Sequence, residues 1–95
     1  MKLRFIAVLG YWRGPAPFHF VPVPPDACED IRQVASFVTY GWGMIPVTAR
    51  IGDTGWTTSL WPKDGRYILP VKAAVRRATG IELDDIVSTE IMIGV

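Results

Sequence analysis

From Leu3 to Leu9 the chain alternates Leu3, Phe5, Ala7 and Leu9 against Arg4, Ile6 and Val8, a period of two with apolar residues on both faces. That pattern predicts a strand covered on both sides, as in a central or barrel strand. Gly14, Pro15 and Pro17 break the alternation and predict a loop over 11–17. Phe18 to Val23 resumes it, with Pro22 confining the end of that strand to an edge or exit. Pro24-Pro25-Asp26 then opens a helix over 26–38, with Asp26 and Glu29 at the spacing of a capping box and Ile31, Val34, Ala35 and Val38 as the apolar stripe.

The glycines flanking Trp42 predict a tight loop. Val47, Ala49 and Ile51 alternate inward against Thr48 and Arg50, and Gly52-Asp53-Thr54-Gly55 turns the chain into the strand Trp56–Trp61. A second turn at 62–66 leads to Tyr67-Ile68-Leu69, stopped at Pro70. Val71, Ala74, Val75 and Ala78 make the core stripe of a second helix over 71–79, ended by Gly80. A polar turn and the alternating run Ile86–Ile93 close the chain. Six short, evenly spaced strands with two short helices predict a mainly β domain, a small closed or nearly closed six-stranded barrel covering 1–95.

Composition adds bounds rather than chemistry. Ninety-five residues make one domain that buries about 60–65% of its unfolded surface, and 49% hydrophobic residues supply the core. No apolar run approaches the roughly 20 residues of a membrane span, and Met1-Lys2-Leu3-Arg4 enters alternation rather than a leader's apolar stretch. A cytoplasmic protein is expected. Cys28 is the only cysteine, which excludes an internal disulfide and a multi-cysteine zinc site, and its helical spacing with Ile31 and Ala35 makes it a small core residue. No metal or cofactor pattern is present. The net charge of +1 creates no global field for nucleic acid or an anionic membrane, so any anion affinity is local.

Several segments in order, among them Trp12-Arg13-Gly14-Pro15, Phe18-His19-Phe20, Gly41-Trp42-Gly43 and Tyr67-Ile68-Leu69-Pro70-Val71-Lys72, resemble the bacterial domain-of-unknown-function family DUF1905. Its members occur alone or ahead of a YdeI/OmpD-associated module. The resemblance covers nearly the whole chain and implies a small β-barrel with no established activity. The last third also resembles, more loosely, the AbrB/MazE swapped-hairpin transcription factors, in its Gly-Arg-x-x-x-Pro, short helix, Gly-Ile and acidic turn. That likeness implies an intertwined dimer that binds DNA.

The residues with chemical potential are few. Lys72 and Arg76 are i,i+4 neighbours on one helical face, and two cations so placed hold an anion. Lys72 in a first turn also conflicts with the helix dipole, which a bound phosphate or carboxylate relieves. The bland alternative pairs them with Asp64, Asp84 or Asp85. Trp12, Arg13 and Trp42 lie in glycine-containing loops, where rings line clefts. At least half of the set Trp12, Phe18, Phe20, Trp42, Trp56, Trp61 and Tyr67 is expected to be plain core.

His19 points away from Phe18 and Phe20 and is the one candidate general base, but the sequence places no Ser or Cys as its partner. Thr58 adds a hydroxyl donor on a strand. A non-catalytic binding module follows as the leading expectation, holding a small anionic ligand or a protein partner among Trp12, Arg13, His19, Trp42, Thr58, Lys72 and Arg76. A DNA-binding dimer is the alternative. Glu82, Asp84 and Asp85, which follow the basic helix, oppose it because phosphate contacts require several placed cations.

Overall fold

The computed structural model describes residues 1–94. In chain order the elements are β1 (Lys2–Val8), β2 (Gly10–Trp12), β3 (Phe18–Pro22), α1 (Pro25–Val38), β4 (Ile45–Ile51), β5 (Thr54–Lys63), β6 (Arg66–Pro70), α2 (Ala73–Thr79) and β7 (Ile86–Met92). All strand pairs are antiparallel, in the order β1-β7-β4-β5-β6-β3-β2. The sheet curls into an open half-barrel of seven strands, and the expected closed six-stranded barrel is corrected on both counts.

Two segments each serve both halves of the sheet. β5 pairs through Thr54–Leu60 with β4 and through Trp61–Lys63 with β6. The run from Lys2 to Trp12 does the same, pairing with β7 up to Val8 and with β3 from Gly10. Leu9 is the joint. It is fully buried, and its N–H donates to the Asp85 carbonyl at 2.9 Å while its own carbonyl accepts from the Asp84 N–H at 3.0 Å. The two ends of the strand order are thus joined by chain continuity, with no ladder between them. Tyr11 and Trp12, expected in a loop, lie in β2 opposite His19 and Phe18. The alternation of Leu3, Phe5, Ala7 and Leu9 in fact continues to Tyr11. Gly10 hides that continuation for a packing reason: a Cβ there would lie 3.1 Å from the Phe20 ring, so the position is kept bare for the aromatic to cross it.

The inner face carries the core, where Leu9, Val21, Ile45, Leu60, Leu69 and Ile91 are fully buried. Ile31 and Cys28 of α1 join them. The Cys28 thiol donates to the Val23 carbonyl at 3.3 Å, which bears out its reading as a core residue. The expected capping box does not form. The N-cap is Pro24, with no side-chain hydrogen bond, and Glu29 pairs instead with Arg32 at 3.1 Å. A proline at the first helical position has no N–H to satisfy, so there is less for a cap to do. Arg32 also donates to the Gly65 carbonyl, tying α1 to the β5–β6 turn.

α2 starts two residues later than the apolar stripe predicts, because Val71 is still held by the sheet, its N–H donating to the His19 carbonyl at 2.9 Å. Its end is as expected, with Gly80 in the left-handed region at φ 72°. β7 is paired on both sides within the same chain, by β1 and β4. Among the described residues no helix is long and apolar enough to cross a membrane.

The joint at Leu9 generates a stability contrast within one run of chain. Leu9→Ala removes a fully buried side chain and is expected to cost about 2–5 kcal/mol. Ile6→Ala, at a position 65% exposed on β1, is expected to change stability by about 0.5 kcal/mol or less. Urea midpoints of the two variants check this, and equal shifts would show that Leu9 does not organise the joint.

Candidate functional site

The inward side of β3 continues from Val21 to His19, and there the core gives way to a cleft. The Val71–His19 backbone bond holds β3 against the segment that enters α2, bringing the imidazole beside Lys72 and Arg76. On the other side the Tyr11 ring packs against the His19 ring with centroids 4.7 Å apart. Two adjoining hollows share Phe18, His19, Val71 and Lys72. The outer one, about 350 Å³, adds Tyr11 and Arg76. The inner one, about 170 Å³, is walled by Trp56, Pro70 and Val71, with Thr57 and Thr58 at its edge.

Of the sequence-derived candidates, His19, Thr58, Lys72 and Arg76 meet here. Arg13 stands one layer back, its guanidinium 5.5 Å from the Tyr11 ring centroid. Trp12 and Trp42 lie away from both hollows. Trp12 lies on the same face of its ladder as its partner Phe18, opposite to Tyr11 and His19, and its ring is covered by the Lys63 ammonium at 3.9 Å. Trp42 is 91% exposed in the turn after α1 and borders neither hollow. The expectation that half of the aromatic set is core also fails, since Trp56 is its one buried member. Phe18, Phe20 and the exposed Trp61 form instead a surface cluster, with Phe18 5.9 Å from Phe20 and 5.1 Å from Trp61. Sequence reading missed Tyr11 as a wall of the site; the signal was the period-two continuation past Gly10.

The electrostatics are one-sided. No carboxylate lines either hollow, and among the described residues the salt bridges are Arg4–Glu90 and Arg32–Glu29. Among the described residues Lys72 and Arg76 therefore have no acidic partner, and the expected alternative of pairing with Asp64, Asp84 or Asp85 is not realised. Asp85 accepts instead from the Glu82 N–H at 2.8 Å. The Nε of Arg76 and the indole Nε1 of Trp56 are buried without a hydrogen-bond partner. Buried donors left unsatisfied carry an unrecovered desolvation cost, which makes such groups exceptional in folded proteins. Partial burial, and after it the charge of Arg76, hold the His19 imidazole below its ordinary value. The dipole argument for Lys72 does not carry over: Lys72 is the N-cap and α2 is only seven residues long. What the cleft offers an anion comes from side chains.

The fold and cleft define a small antiparallel half-barrel with one cationic, aromatic-walled recess. The chain belongs to the family described as a domain of unknown function, DUF1905, whose model matches residues 5–91. No curated protein matches the chain.

Because His19 is the sole histidine, one imidazole resonance reports the site. Its titration midpoint by NMR is expected to lie below the usual value of about 6.5 and to rise in Arg76→Met without reaching it, since burial, the larger cause, remains. The linked stability has a definite sign. A lowered histidine pKa favours the neutral form in the native state, so this contribution is present above about pH 6.5 and is lost as pH falls through the folded value. An unchanged midpoint in Arg76→Met would separate the two groups electrostatically.

Proposed function

We propose that this chain is a non-catalytic binding module that takes a small anion in the recess formed by His19, Thr58, Lys72 and Arg76. The observation that carries the reading is the gathering of Lys72 and Arg76 around one hollow with no acidic partner among the described residues. A cation left unpaired beside half-buried aromatics is stabilised when a ligand supplies the missing charge. An anion there also supplies an acceptor to the guanidinium, whose planar fork suits carboxylate and phosphate. His19 sharpens the preference, because protonation adds a third positive charge at the same place.

A small ligand fits the recess better than a nucleic acid does. Duplex recognition needs a line of cations spaced along phosphates, whereas the turn that follows α2 brings Glu82, Asp84 and Asp85. The recess is also a hollow and not a ridge that enters a groove.

Thermal shift with inorganic phosphate and acetate tests the anion site. At a tenfold excess over Kd the native state gains about 1.4 kcal/mol, which raises Tm by several degrees in a domain of this size. The double variant Lys72→Met, Arg76→Met keeps the aliphatic stems and breaks no ion pair, so it is expected to fold with stability within about 1 kcal/mol of the parent. It is expected to lose the anion-dependent shift. The parent's shift is expected to grow as pH falls through the His19 midpoint. An equal shift in parent and variant removes the reading.

A further inference from the structure

We infer that the anion this recess takes is an aryl acid, a compound with one aromatic ring carrying a carboxylate, whose ring occupies the inner hollow while its acid group faces Lys72 and Arg76. The inference rests on the anion-site reading and adds the body of the ligand to its head.

Three observations support it. The first is the division of the recess. The cations Lys72 and Arg76 meet in the outer hollow. The inner hollow shares Phe18, His19, Val71 and Lys72 with it and adds Trp56 and Pro70, so apolar surface is offered to one part of a molecule and the second cation to another. The second is size. An apolar cavity of about 150 Å³ holds one benzene ring, and the inner hollow has about 170 Å³. It therefore accommodates a single ring. The third is the chemistry of the walls. Trp56 presents aromatic surface for offset or edge contacts with a ring, and Thr58, two residues further along β5 and so on the same face as Trp56, lines the same hollow. Acetate or phosphate alone would leave that apolar volume to water.

The junction between the hollows is the selective element. Phe18, His19, Val71 and Lys72 belong to both, and the His19 ring is buttressed from behind by Tyr11 at 4.7 Å. A ring seated against Trp56 brings its carboxylate to this junction, where Lys72 meets it. Tetrahedral geometry is not required there, but planarity is useful, since a carboxylate lies flat against the guanidinium fork of Arg76.

Calorimetric and NMR titration of the parent with benzoate, acetate, inorganic phosphate and benzyl alcohol tests the inference. Benzoate is expected to bind at least about tenfold more tightly than acetate, the effect of removing roughly 55 Å² of apolar surface from water, and more tightly than uncharged benzyl alcohol. Thr58→Leu, which narrows the inner hollow and leaves both cations in place, is expected to weaken benzoate at least about tenfold more than acetate. Should that variant not fold, nuclear Overhauser contacts from the benzoate ring protons to Trp56 and His19 in the parent decide the location, and their absence overturns the inference. If acetate, phosphate and benzoate bind within about threefold of one another and all depend on Lys72 and Arg76, the aryl acid is overturned and the anion site stands. Equal binding of benzoate and benzyl alcohol overturns the assignment of the acid group to the cations. If none of the four binds, both readings fall together.

Discussion

The structure depends on one stretch of chain serving two halves of a sheet. Between Val8 and Gly10 the first run of sequence leaves β7 and takes up β3, and Leu9 sits at that change with its backbone bonded both ways to Asp84 and Asp85. The long β5 makes the matching transfer on the opposite side, from β4 to β6. These two transfers curve the sheet far enough for its inner faces to meet as one aliphatic core. They also leave a gap in the strand order between β1 and β2, which chain continuity spans.

The same curvature explains where the recess lies. At its inner end β3 supplies Val21 to the core, and one alternation outward it supplies His19. The hydrogen bond from Val71 to the His19 carbonyl brings the start of α2 over this place, so the cations arrive beside a histidine. Nothing acidic arrives with them. The Asp85 carboxylate is turned elsewhere, onto the Glu82 backbone N–H. An electrostatic imbalance is thereby kept at a point of partial burial, where charge interactions are screened less than on an open surface.

Recognition and folding place opposite demands on such a spot. Partial burial of Arg76 with its Nε unpartnered costs the free protein desolvation energy that a carboxylate of its own would offset. A chain that filled the recess with an internal ion pair would gain that energy. The surface cluster of Phe18, Phe20 and Trp61 shows a different economy. Those rings pack on one another and on the outside of the sheet, so they cover backbone without competing for the small interior.

Periodicity along the chain determined most of the local structure. The inward set Val47, Ala49 and Ile51, the end of α2 at Gly80, the burial of Cys28 and the i,i+4 pairing of Lys72 with Arg76 follow from spacing and backbone preference alone, because neighbours in sequence decide them. The family resemblance carried by the ordered motifs was equally legible, and the match over residues 5–91 agrees with it. Tertiary structure decided the rest. Whether a strand keeps one partner or changes at Leu9, whether Trp12 faces the same side as His19, and whether Lys72 finds an aspartate are questions about residues far apart in the chain. Alternation tells which side chains share a face of one strand, but which face becomes interior is set by the curl of the whole sheet. Trp12 and Trp42 looked alike in their glycine-flanked loops; sheet register put one beneath Lys63, and the turn after α1 left the other in solvent.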